Sequence, residues 1–228
     1  MSAIHPSDGW PPPPGRPPEV PPPWTPPGRP APGPPVYPPV PMVYDDGPRT
    51  DDLADRLLER RIVLVTGHLD LGRATDASAR LMLLDGSGDE PIELVLSCPD
   101  GDLVAATALA DTVELVGVEL RTVCTGSIGG PAVLPFALGT RRMAQPHATF
   151  RLIEPGLEAH GRADEIARET ARQTDLVAEV HRRLAAATGQ PIETVTEDLR
   201  RGRFLTADEA KTYGLVDEII RRRRLRTI

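Results

Sequence analysis

Disulfides, metal ligands and membrane spans are what this sequence does without. Its 228 residues contain two cysteines, Cys98 and Cys124, and neither has a neighbour at C-x-x-C spacing. That excludes a disulfide framework and a zinc pattern, and it suits a reducing compartment. The five histidines (His5, His68, His147, His160, His181) form no H-E-x-x-H and no i, i+4 pair with one another, so neither a metal nor another cofactor is expected. No apolar run is long enough to cross a bilayer, and the amino-terminal stretch has no apolar h-region. Neither a transmembrane helix nor a signal peptide is therefore expected, and the cytoplasm is the default location. Positive charge is short as well. The net charge of −7 argues against a nucleic-acid partner, and the basic run at Arg221 to Arg224 reads as a solvated tail.

Proline is in excess, and it is unevenly spread. Of 27 prolines, 20 lie in residues 1–50, with Trp10, Trp24, Tyr37 and Tyr44 set among them. Proline lacks an amide donor and fixes φ, so this stretch is predicted to be an extended, disordered arm. Residues 51–220 are long enough for one α/β domain whose core needs no staples, and residues 221–228 form the basic tail.

Within the domain, Thr50-Asp51-Asp52 opens a short helix in the manner of an N-terminal cap. Strands are predicted at residues 62–66, 92–97 and 120–125, and helices at 74–84 and 102–116. Strand and helix alternating in this way imply crossover connections and a largely parallel sheet. Residues 141–147 read as polar and structure-breaking, and 149–153 as a short strand. Residues 161–188 form one long helix with a thin apolar stripe (Ile166, Leu176, Val177, Val180, Leu184), followed by helices at 192–200 and 206–213 and a last strand at 215–220.

The third strand runs into Gly126-Ser127-Ile128-Gly129-Gly130 and then into an apolar helix. In α/β enzymes a corner of this kind can hold a nucleophile in a strained conformation.

From about Asp52 to Ile220 the chain resembles the ClpP family, the proteolytic subunits of the ATP-dependent Clp protease (serine peptidase family S14). The residues carrying the resemblance are Arg56-Leu57-Leu58-Glu59-Arg60-Arg61-Ile62-Val63, Gly202 to Ala210 (Gly-Arg-Phe-Leu-Thr-Ala-Asp-Glu-Ala), and Tyr213-Gly214-Leu215-Val216-Asp217. The resemblance implies an α/β ClpP/crotonase-like fold of repeated β-β-α and β-α units, with residues 161–190 as the handle helix. It also implies heptameric rings stacked into a tetradecamer, a Clp-type AAA+ ATPase as partner, and unfolded polypeptide as substrate. Neither nucleic acid nor membrane is expected as a partner.

The family uses a Ser-His-Asp triad. An ungapped match places Gly130 where the serine belongs, Ile153 where the histidine belongs and Asp198 on the aspartate. A rival register reads Ser127-Ile128-Gly129 as the family's Ser-Met-Gly at the cost of a three-residue slip. The family's oxyanion loop Ser-Pro-Gly-Gly is matched by Cys98-Pro99-Asp100-Gly101, and the residue after Gly130 is Pro131, which has no N–H to give. Losing one oxyanion donor costs about 3 kcal/mol of transition-state stabilisation, and losing a triad serine or histidine costs on the order of a million-fold in turnover. The expectation is a ClpR-like subunit without an inherited mechanism, working beside an active ClpP paralogue. Two alternatives stand beside it: a serine endopeptidase acting through Ser127 or a site rebuilt from Cys98 or His147, and a crotonase-type acyl-CoA enzyme.

Overall fold

The structure is a computed structural model that describes residues 50–156 and 163–220. The proline-rich arm through residue 49 and the basic tail at 221–228 lie outside the described residues.

The chain enters through α1 (Thr50–Leu58) and then alternates β1 (Ile62–Thr66), α2 (Leu71–Asp85), β2 (Ile92–Ser97), α3 (Leu103–Leu115) and β3 (Leu120–Cys124). Short elements follow: β4 (Ser127–Gly129), a 3-10 turn (Gly130–Ala132), α4 (Val133–Ala137), β5 (Arg141–Ala144) and β6 (Thr149–Leu152). The long helix α5 (Ala163–Thr188), α6 (Ile192–Arg201), β7 (Arg203–Thr206), α7 (Ala207–Tyr213) and β8 (Glu218–Ile219) complete it.

The main sheet has the strand order β1-β2-β3-β5-β8 and every pairing in it is parallel, as the strand-helix alternation predicts. Ile92, Leu94 and Leu96 of β2 are fully buried, and they pack with Leu81 of α2 and Leu109 of α3 in one continuous core. A fully buried Leu or Ile contributes roughly 1.5–3 kcal/mol, so these layers dominate stability. A second sheet, in the order β4-β6-β7, pairs β4 parallel and β7 antiparallel to β6. Phe150 on β6 meets Phe136 on α4 with ring centroids 5.2 Å apart, which joins this sheet to the main core.

Local chemistry sets the helix ends. Asp70 caps α2 by accepting from the Arg73 N–H. At α7, Thr206 accepts from the Glu209 N–H while the Glu209 carboxylate accepts from the Thr206 N–H, a reciprocal cap worth on the order of 1 kcal/mol.

Four strands depart from the sequence expectation. Residues 141–144 form β5 inside the main sheet, because their arginines find carboxylates at the neighbouring strand: Arg142 pairs with Asp217, just before β8, and Arg141 with Glu218 on it. Ser127–Gly129 is strand β4 rather than turn, held in register with Thr149–Arg151. Arg203–Thr206 adds β7, and the final strand is confined to Glu218–Ile219. Of the apolar stripe on α5, Val180 and Leu184 are buried, Leu176 and Val177 are half-buried, and the side chain of Ile166 lies outside the described residues. Among the described residues no helix is long and apolar enough to cross a membrane.

Candidate active-site cleft

Because β2 and β3 are parallel neighbours, the loops leaving their carboxyl ends emerge at one edge, where sites on such sheets collect. The loop after β2 carries Cys98-Pro99-Asp100-Gly101, and the corner after β4 carries Gly130 and Pro131. The N–H of Gly129 donates to the Cys98 carbonyl at 2.9 Å and ties the two together. Ile153, just past β6, closes the third side.

Gly130 is buried and has φ of 55°, a left-handed conformation that L-residues adopt at a cost of roughly 1–2 kcal/mol. The corner therefore keeps the backbone shape that can present a nucleophile, and it carries no side chain. A Cβ at residue 130 would lie 2.7 Å from Oδ1 of Asp100 and 3.9 Å from Cγ2 of Ile153. That same Oδ1 accepts a hydrogen bond from the Gly101 N–H at 2.9 Å. The space beside the corner thus holds a carboxylate already bound to a backbone donor, facing an aliphatic side chain.

The structure brings Gly130, Pro131 and Ile153 to the wall of one small closed pocket of about 10 Å³, and Asp100, Gly101 and Ile153 to an adjoining cleft of about 560 Å³. His68, Asp102, Leu103, Arg151, Glu154 and Gln173 also line the cleft, and among the described residues its lining contains no serine, threonine, cysteine or lysine. An acyl-transfer nucleophile has to come from such a group within hydrogen-bond reach of a base.

The remaining candidates lie elsewhere or are committed to other contacts. Asp198, matched to the family's aspartate, has a side chain only 15% exposed and pairs with Arg203 at 3.0 Å. The Arg203 guanidinium in turn stacks on the Tyr213 ring at 5.3 Å. Ser127 starts β4 opposite Thr149 instead of standing at the corner. The Cys98 thiol points to the Val65 carbonyl, and burial pushes it up to about 11, which leaves it protonated at neutral pH. His147 is exposed on the turn between β5 and β6. Among the described residues no hydrogen bond joins Ser127 or Cys98 to a histidine, and no cluster of three or more His, Cys, Asp or Glu could hold a metal ion.

Two histidine pairs escaped sequence reasoning. His68 Nε2 lies 2.9 Å from Asp102 Oδ1 on the cleft rim, with both side chains about half exposed. One follows β1 and the other precedes α3, so the β1/β2 pairing carried a signal that could have found them. The second pair, His181 with Glu154, lies behind the pocket.

A family model for Clp protease matches residues 45–223. The chain belongs to the Clp protease family. ATP-dependent Clp protease proteolytic subunit 1 of Bifidobacterium longum (strain NCC 2705) is 33% identical over 184 residues, covering 78% of this chain and 78% of that protein. In this member of the family Gly130, Ile153 and the Asp100 carboxylate meet where the corner joins the cleft.

Proposed function

We propose that this chain is a non-catalytic, ClpR-like subunit of an ATP-dependent Clp protease. It contributes ring wall and ATPase docking, while an active paralogue cuts unfolded polypeptide in the shared chamber. The observation that carries the reading is the contact between Asp100 Oδ1 and the space a side chain at Gly130 would need. A carboxylate bonded to the Gly101 N–H competes with any substrate carbonyl for that donor, and its charge opposes a developing oxyanion. Ile153 cannot accept a proton, and Pro131 cannot donate one from its backbone.

The reading includes heptameric rings paired into a tetradecamer in the cytoplasm. Residues 51–220 form the subunit body, residues 1–50 a proline-rich arm and residues 221–228 a basic tail. The arm, in place of a short gating loop, partly covers the axial pore or recruits a partner.

Hydrolysis of a fluorogenic peptide and labelling by a serine-reactive phosphonate test it, on this chain alone and on mixtures with an active paralogue from the same cell. The expected outcome is an inert chain that enters active rings and changes their rate. Labelling of the isolated chain would overturn the reading, and the modified residue would identify the working nucleophile.

A further inference from the structure

His181 is only 7% exposed, at the start of the last third of α5, and its two ring nitrogens are treated unequally. Nδ1 shares a 3.2 Å hydrogen bond with the Thr196 hydroxyl of α6. Nε2 is buried with no hydrogen-bond partner. The nearest carboxylate oxygen, Glu154 Oε1, is 3.5 Å away, beyond a good N–H···O bond. A buried polar group left in that state destabilises the fold, which an apolar residue would not do.

Glu154 is shared. Its Oε1 also lies 3.5 Å from Arg200 Nε of α6, and its backbone N–H donates to the Leu199 carbonyl at 3.1 Å. Glu154 and Arg200 are the charged groups that act on His181, and the remaining walls of its pocket (Val177, Val180, Leu184, Leu199) are apolar. Ile153, Glu154 and Pro155 line both this pocket and the 560 Å³ cleft, so whatever shifts them shifts the cleft wall.

We propose that His181 is a proton-operated latch on residues 153–156: with a neutral imidazole the segment packs against α5 and α6, and protonation of the buried ring, for which the Glu154 carboxylate compensates only in part, releases it and opens the cleft wall. The sign follows from linkage. Burial lowers the affinity of the packed imidazole for a proton; Glu154 opposes this and Arg200 adds to it, with a net lowering from 6.5. The released imidazole, in water, regains the ordinary value. Packing is therefore at full strength above 6.5 and weakens as pH falls from there toward the lowered value.

The test is hydrogen exchange of the full-length protein, corrected for intrinsic rates, at about pH 7.5 and about pH 5.5, the range in which imidazoles change charge. The reporter is the Glu154 amide bonded to Leu199. We expect it to exchange faster at the lower pH, by the factor that the lowered proton affinity of the packed imidazole sets. His181→Gln, which cannot titrate, removes the acid step. Glu154→Gln removes the carboxylate that favours the protonated ring, and enlarges it. An acid step that survives in His181→Gln, or is absent from the wild type, overturns the latch. Exchange of the imidazole C2 hydrogen, read by mass spectrometry, gives the His181 midpoint without any variant, and a midpoint at or above 6.5 overturns it equally.

Discussion

Oδ1 of Asp100 stands 2.7 Å from the point where a Cβ on Gly130 would lie. The two residues are coupled: a side chain at the corner requires the Asp100 carboxylate to leave the Gly101 N–H it now accepts from. Asp100 is exposed and can swing away, so the coupling is a cost and not a block.

Gly130→Ser is accordingly expected to remain inert. It loses about 1–2 kcal/mol from the left-handed conformation alone, visible in urea denaturation. Adding Asp100→Gly removes the further cost of the contact and leaves the left-handed strain in place, still without peptide hydrolysis, because Ile153 offers no base and Pro131 no N–H. Phosphonate labelling of the double variant is the sensitive readout, and stoichiometric labelling would contradict the expectation.

Gly214 makes a sharper demand. Its φ is 87°, and a Cβ there would sit 2.2 Å from the Thr188 carbonyl oxygen at the end of α5, a backbone atom that cannot swing aside. Gly214→Ala is expected to cost about 3 kcal/mol or more, from strain and overpacking together. A variant within about 0.5 kcal/mol of wild type by denaturant titration would be inconsistent with this packing.

Arg142 ties three elements together. Its guanidinium donates to the Ala187 carbonyl at 2.6 Å and to both oxygens of Asp217, and its side chain is only 14% exposed. Arg142→Ala is expected to destabilise by about 2 kcal/mol, between the values for exposed and buried pairs. Arg142→Lys should rescue little, since an ammonium cannot span those acceptors. Burial raises the affinity of Asp217 for a proton, but hydrogen bonds and charge from Arg142 outweigh it and leave the carboxyl below 3.8. Its contribution is thus present above 3.8 and lost as pH falls toward the lowered value. The stability difference between wild type and Asp217→Asn should shrink in acid, measured as melting temperature against pH.

Both thiols should be silent in the folded protein. Cys98 and Cys124 are fully buried, and burial pushes them up to about 11 and about 12. At about pH 8 a thiol at 11 is thiolate in about one molecule in a thousand. Ellman's reagent should register no fast-reacting thiol until denaturant is added, and then two. A fast native thiol would show that the β2 and β3 ends are open.

The sequence made β1, β2 and β3 readable because each is a short apolar run bounded by breakers. It hid β5 because two of its four residues are arginines. Their carboxylates stand 75 and 77 residues further along, a relationship that local pattern cannot express. The placement of Gly130, Ile153 and Asp100 followed from the match to the family, whereas the hydrogen bond that ties Asp100 to Gly101 depends on a rotamer. Asp198 misled for a related reason: its helix looks solvated, but Arg203 folds back over it. His181 was legible only as a histidine on a helix, since its partners come from the loop after β6 and from α6.

The placement of β8 governs when the fold can be finished. Strands β1, β2 and β3 are joined by local crossovers and can assemble as they are synthesised, but among the described residues the far side of β5 is met by residues 217–220, with Glu218–Ile219 as β8 and the Asp217 and Ile220 N–H groups donating to the Arg142 and Ala144 carbonyls. Until those residues have left the ribosome, Arg141 and Arg142 lack the Glu218 and Asp217 carboxylates, and the hydrogen-bonding edge of β5 stays open to other chains. Loss of the chain from about residue 215 onward should therefore yield a polypeptide with most of its core and a sticky β5 edge.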